Sequence, residues 1–368
     1  MAGLGETDVV LRTKDLLPWR FYAGYENSGN TATGEDRLLS GFNWGNALGR
    51  DQQLNYQFMA SPDFDQLRAH SASYIIPLSW RHTLTFFGSY ATSTPDLVGD
   101  LFHLKGSSWQ VSARYQVPLQ DFSRLGWTQK ISVGIDFKRS NNNLQFGGYQ
   151  VFDRRTDTAQ MTAGYTLIAN DRFGTTSAEV EIMVSPGGLT NHNHTGDFAV
   201  ARSAARAKYA IGRVVLERTA PLPGGFIGSA RFSTQFANQN LLSSEQLGLG
   251  GYDTLRGYDE REAIGDNGFT FGGELQAPAF SLIKWLSRKR GTDHLKLLAF
   301  WSHGEAGNHE LLPNEDAHLV LESAGVGFRY AIATYLTVRF DYGWQLRESR
   351  VADGRHGRRA HIGVIIAY

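Results

Sequence analysis

Between Leu336 and Trp344 the chain reads LTVRFDYGW. Leu336, Val338, Phe340, Tyr342 and Trp344 share one side of an extended backbone, and Thr337, Arg339, Asp341 and Gly343 share the other. A period of two assigns a β-strand, and helical spacing does not fit it. SWQVSARYQV (Ser108–Val117) repeats the pattern, with Trp109, Val111, Ala113, Tyr115 and Val117 opposite Ser108, Gln110, Ser112, Arg114 and Gln116. Gly225–Phe236 does so again, setting Phe226, Ala230, Phe232 and Phe236 against Ser229, Arg231, Ser233 and Gln235. Such a face is buried in a soluble sandwich, or turned to lipid around a wet lumen in a membrane barrel. Alternation alone does not separate the two.

Strand number and loop length do. Sixteen segments carry the pattern, near residues 19–26, 38–46, 51–59, 70–79, 81–91, 107–117, 128–138, 158–169, 172–184, 200–218, 225–238, 268–278, 293–303, 318–330, 334–344 and 358–368. Their connections alternate in length. Long polar ones at 27–37, 60–69, 92–106, 139–157, 185–200, 239–267, 304–317 and 345–357 trade with tight turns such as 47–50, Trp80, 170–171 and 331–333. An even strand number with long loops at one end and short turns at the other is the outer-membrane pattern. The expected fold is all-β: a sixteen-stranded antiparallel transmembrane barrel. Trp19, Tyr25, Trp44, Tyr90 and Trp344 sit near strand ends, as interfacial girdles require. The chain ends HIGVIIAY, placing Ile362, Val364, Ile366 and the terminal aromatic Tyr368 on one face of a barrel-closing strand.

Composition agrees with this reading. Glycine accounts for 41 of the 368 residues, above the usual ~7%. Formal net charge is zero, which gives no reason to expect nucleic acid as a partner. There is no cysteine, so there is neither a disulfide framework nor a thiolate metal site. No apolar run approaches the ~18 residues of a spanning helix, whereas barrel strands need far less. MAGLGETDVV shows no signal peptide.

Chemistry-bearing motifs are sparse. Neither His-Glu-x-x-His nor Gly-x-Ser-x-Gly occurs, and no cofactor site is indicated. His192 and His194 in NHNHTGD are two imidazoles without a third ligand, in a polar loop. DGRHGRR (Asp353–Arg359) offers Arg355, Arg358 and Arg359 to lipopolysaccharide phosphates, or is a solvated basic loop. SLIKWLSRKR (Ser281–Arg290) reads as a short interfacial helix, with Trp285 as anchor and Lys284, Arg288, Lys289 and Arg290 facing head groups, or as a basic turn.

LGGYDTLRGYDEREAIGDNG (Leu249–Gly268) is the segment left over. As a phosphate cradle it lacks the following helix and the Lys-Ser/Thr pair. It can be a solvated turn, or a plug whose arginine pairs with lumen acids, since an isolated charge in a confined pore is costly.

GGYDTLRGY followed by GDNGFTFGGEL resembles the Gly-Gly…Val-Arg-Gly-Tyr stretch of two-partner secretion transporters. These are outer-membrane barrels of the haemolysin-activator type, related to the barrel-assembly proteins. Pro18–Phe58 resembles the start of their barrel, and SAGVGFRY (Ser323–Tyr330) with Tyr368 resembles its last strands. The resemblance runs from about residue 7 to 368, and is specific in the Arg-Gly-Tyr motif and diffuse elsewhere.

The resemblance implies an outer-membrane pore that passes an unfolded, haemolysin- or adhesin-like partner to the cell surface without covalent chemistry. A barrel-insertion factor and a passive diffusion porin are the rival readings. It also implies a long sixth surface loop folded into the pore, with Leu255, Arg256, Gly257 and Tyr258 at its tip. The family's partner for the arginine is an Asp in Phe-x-Asp-x-Gly on the thirteenth strand. Here FWSHG keeps Phe300 and Gly304 and puts Ser302 in place of the Asp. Glu274 and Asp341 face the lumen by parity and can substitute for it; a looser pore is the alternative. The family carries periplasmic POTRA domains upstream. TDVVLRTKDLLPW (Thr7–Trp19) looks like the last POTRA strand, so the expected division is residues 1–18 as remnant strand and linker and 19–368 as barrel.

Overall fold

The computed structural model describes residues 17–30, 33–94, 102–119, 126–146, 149–287, 291–311, 316–349 and 357–368. Sixteen strands form one closed antiparallel barrel: β1 (Trp19–Glu26), β2 (Arg37–Ala47), β3 (Gln52–Ala60), β4 (Leu67–Pro77), β5 (Thr83–Ser93), β6 (Phe102–Pro118), β7 (Trp127–Phe146), β8 (Tyr149–Asp171), β9 (Gly174–Ser185), β10 (Tyr209–Pro221), β11 (Ile227–Ala237), β12 (Asn267–Gln276), β13 (Asp293–Gly307), β14 (Leu319–Ile332), β15 (Leu336–Gln345) and β16 (Arg358–Ala367). Each strand pairs with its sequence neighbours. Closure is between β1 and β16, in the register Tyr22↔Ala367 to Glu26↔Gly363. Phe21 and Tyr368 extend the seam by exchanging both backbone hydrogen bonds at 2.9 Å.

The alternating pattern becomes two surfaces. Phe21, Ile135, Met161, Ile182, Phe236 and Ile366 are each more than half exposed on the outer face. An apolar belt this large is stable only against hydrocarbon. Paired backbone all round the ring leaves no unsatisfied edge in lipid. Among the described residues no helix is long and apolar enough to cross a membrane.

Two expectations need correcting. Residues 139–157 read as a surface loop, yet β7 and β8 continue through most of that span, pairing Arg139 with Asp157 and Asn141 with Arg155. Beyond the bilayer no lipid face is needed, so the apolar period vanishes while backbone pairing persists. The Arg139–Asp157 ion pair at 2.6 Å replaces it. The tenth strand is expected at 200–218 and runs Tyr209–Pro221 instead. The alanine-rich run before it forms α1 (Thr195–Ala201) and a turn. Phe198 of α1 packs with Ala205, Ala207, Leu241 and Leu242 in a small core outside the bilayer.

The segment Ser281–Arg290 forms α2 (Leu282–Ser287), with Trp285 and Leu286 exposed. Arg288, Lys289, Arg290 and Arg355 lie outside the described residues.

Candidate functional site

The long connection between β11 and β12 is organised from its base. A short hairpin pairs Leu247–Leu249 with Ala263–Gly265. Leu249, Leu255, Tyr258 and Ala263 pack with Ala306 of β13 and Leu321 of β14 into one buried apolar cluster. Gly304 is the position that lets them approach: a Cβ there would stand 3.0 Å from Leu255 Cδ1 and 3.1 Å from Leu249 Cδ2.

This packing aims Arg256 at the inward side chains of three strands. Its guanidinium donates to Glu274 Oε2 on β12 at 2.7 Å and to Asp341 Oδ1 on β15 at 3.2 Å. It also lies over the Phe300 ring of β13, 3.7 Å from the centroid. Arg329 of β14 binds the other oxygen of Asp341 at 2.9 Å. Two guanidinium groups and two carboxylates therefore neutralise one another, which is what makes so many confined charges tolerable. Ser302 is buried at 2% exposure beside this quartet, and Arg256 pairs with Glu274 and Asp341 instead.

Gly257 has φ +108°, in the region that favours glycine. A Cβ there would meet the Gly343 backbone of β15 at 3.1 Å. Its N–H donates to His361 Nε2 at 3.1 Å and its carbonyl accepts from Gln345 Nε2 at 2.8 Å. Tyr258 is fully buried, and its hydroxyl shares its one proton between the carbonyls of Glu322 and Arg347, at 2.7 and 2.6 Å. Asp259 forms an ion pair with Arg359 of β16. Arg359 in turn donates to the carbonyls of Asn27 and Gly29 after β1, at 3.2 and 3.0 Å. Burial, helped by the Asp253 carboxylate, pushes the Glu260 carboxyl from its ordinary 4.5 up to about 7.

Buried acids hold the loop's base. Glu245 binds Lys138 of β7 at 2.9 Å and Gln160 of β8 at 2.8 Å. Asp266 binds Arg202 beyond α1 at 2.8 Å and accepts the His309 N–H at 3.0 Å. Among the described residues no group of three His, Cys, Asp or Glu side chains is placed to hold a metal. His192 accepts the Asp157 N–H through its carbonyl, and His194 caps α1.

The family model described as haemolysin secretion/activation protein ShlB/FhaC/HecB matches residues 5–329. The chain belongs to this family. Within it, the chain is 25% identical over 289 residues to the heme/hemopexin transporter protein HuxB of Haemophilus influenzae, matching 76% of this chain and 49% of that protein. It is 25% identical over 290 residues to the outer membrane transporter CdiB-2 of Burkholderia pseudomallei, covering 74% and 47%. The chain thus spans about half the length of the curated relatives it matches. CdiB from Escherichia coli shares the fold with a TM-score of 0.82 at 17% identity, over 97% of this chain and 64% of that one. BamA from Haemophilus ducreyi lacking POTRA domains 1–3 has a TM-score of 0.63 at 13% identity, over 95% and 70%. As a haemolysin secretion/activation family member with a closed sixteen-strand barrel, the chain is an outer-membrane protein of a transporter family.

In this family member the named tip residues Leu255, Arg256, Gly257 and Tyr258 all touch the barrel wall. Phe300, Glu274 and Asp341 meet Arg256, and Gly304 meets Leu255. Tyr368 closes the seam through its backbone, with its side chain 83% exposed. Sequence reasoning missed His361, Gln345, Glu245 and Asp266, and it set Arg359 toward lipopolysaccharide or solvent where the structure turns it onto Asp259. Parity alone sets His361 and Arg359 inward, opposite the outward Ile362 and Val364. No pattern in the sequence names their partners.

Proposed function

We propose that this chain is the pore of a two-partner secretion transporter, which moves an unfolded, haemolysin- or adhesin-like partner from periplasm to cell surface. One observation carries the reading. A polar loop of one closed barrel is anchored on the inward wall by an arginine with two carboxylate partners. Such a plug keeps the membrane sealed at rest, and its ionic hold is reversible in a way that a packed core is not. Leu255 and Tyr258 fix the loop's height, and Tyr368 completes the ring. No nucleophile or acid–base pair is needed, because transport exchanges hydrogen bonds rather than covalent ones. Residues 19–368 are read as the barrel; the receptor strand and linker expected at residues 1–18 fall almost wholly on residues 1–16, which lie outside the described residues. Arg358, exposed at the loop end of β16, is a cation suited to lipopolysaccharide phosphates, whereas Arg359 is turned inward onto Asp259.

The test is co-expression with a large secreted haemolysin- or adhesin-like protein from the same genome. Partner in the medium only when this chain is present supports the reading. Partner retained in the periplasm while the barrel is inserted overturns it. Depletion of unrelated outer-membrane barrels on deletion would mark an insertion factor. A large, steady conductance indifferent to Arg256 would mark a diffusion porin.

A further inference from the structure

Two stretches of the inward wall differ chemically. On β11–β16 it is charged and covered. Gln235, Ser302, Ser323, Asp341 and His361 are all buried, and the Arg256 loop hydrogen-bonds Gln235, Asp341 and His361 directly. On β3, β4 and β5 every inward position is uncharged. There Asn55 stands opposite Ser73 and Gln57 opposite Ser71, and Ser71 stands opposite Ser89. These five side chains are half-buried rather than covered. They form a lateral ladder: Asn43 of β2 donates to Asn55 Oδ1 at 2.8 Å, and Asn55 donates to Ser73 Oγ at 3.1 Å. Tyr22 of β1 donates to Gln57 Oε1 at 3.0 Å.

Amides and hydroxyls both donate and accept. A track of them can trade hydrogen bonds with any peptide backbone that slides past. A charged wall would hold opposite charges and repel like ones, because Coulomb terms grow in a confined space. A passage for a chain of arbitrary sequence therefore needs a neutral face, and a plug needs a charged one. We propose that the inward face of β3–β5 is the conduit wall, along which an extended, unfolded polypeptide runs, and that β11–β16 serve as the seat of the loop. This rests on the translocation reading above and adds the path.

The chain has no cysteine, so single thiols report position. Asn55→Cys, Ser73→Cys, Ser302→Cys and Ser323→Cys are each reconstituted as the full chain in liposomes. The probe is a short unfolded peptide of serine, asparagine and glycine with a terminal pyridyl disulfide. The protein thiolate attacks it, forms the mixed disulfide and releases pyridine-2-thione. Coupling at Asn55→Cys and Ser73→Cys should exceed that at Ser302→Cys and Ser323→Cys by ten-fold or more. Equal coupling on both walls, or faster coupling at Ser302→Cys, overturns the proposal. So does labelling of Ser73→Cys by a small thiosulfonate with no coupling of the peptide. Ser89→Cys gives the same reading should Ser73→Cys fail to insert. Preserved secretion with coupling confined to Ser302→Cys would refute the path alone. Peptide coupling at Ser73→Cys in a barrel that secretes nothing would refute the translocation reading and leave the wall assignment standing.

Discussion

Arg256 and Asp341, 85 positions apart in the chain, meet at 3.2 Å, and Asp341 is wholly excluded from solvent. The contact joins the tip of a surface loop to the inward face of β15. Arg256→Ala leaves Asp341 with Arg329 but strips Glu274 of its cation and Phe300 of its guanidinium. Breaking a buried pair from one side costs about 3–5 kcal/mol. The surviving Arg329 contact puts this case at the lower end. The loss falls on the seat of the loop and not on the barrel, whose ladder does not involve Arg256. Planar-bilayer recordings should show larger and more frequent openings in the variant, with an unchanged strand signal by circular dichroism.

Ser302 tests the charge balance. The quartet of Arg256, Arg329, Glu274 and Asp341 is already neutral. Ser302→Asp adds a buried carboxylate where the resemblance would place one, and leaves an uncompensated charge. Alone it should lower the thermal midpoint of the folded barrel, measured by heat-modifiable gel mobility. Combined with Glu274→Gln the balance returns, and the double variant should recover most of the loss. Additive damage instead would mean that the new carboxylate on β13 cannot reach the guanidinium.

Much of this was legible in the sequence, and the gaps have physical causes. Leu336–Trp344 reads as a strand because lipid demands an apolar face, and β15 runs Leu336–Gln345. The extension of β7 and β8 did not read, because outside lipid both faces are polar and the period carries no signal. The same parity rule picked Glu274 and Asp341 as inward acids. It was silent on Asp259 with Arg359, and on Glu245 with Lys138, because a pairing between a loop and a distant strand leaves no local trace.

Gly257 makes the loop's geometry testable. At φ +108°, with the Gly343 backbone 3.1 Å from where its Cβ would stand, alanine is both strained and crowded. Backbone strain of this kind costs about 1–3 kcal/mol. Gly257→Ala should release the tip and expose the peptide bond after Arg256 to trypsin in detergent micelles, while the wild type stays protected there. Equal protection of the two would refute the close packing of Gly257 on β15.

The last prediction concerns pH. Glu260 is held at about 7 by burial first and by the Asp253 carboxylate second; Glu26 of β1 adds to the rise, while the Tyr252 backbone and Arg261 oppose it. A released loop would return the carboxyl to its ordinary 4.5. Between these values the seated loop binds the extra proton, so its stability falls as pH rises. The contribution is fully present below 4.5 and is lost as pH passes through about 7. Openings should therefore be rarer at about pH 5 than at about pH 8. Glu260→Gln keeps the shape and removes the titration, so its open probability should be flat across that range and close to the acidic wild-type value. Glu262 is the control, since burial raises its carboxyl too. If Glu262→Gln abolishes the pH response and Glu260→Gln does not, the switch belongs to Glu262, and Glu260 ionises without moving the loop.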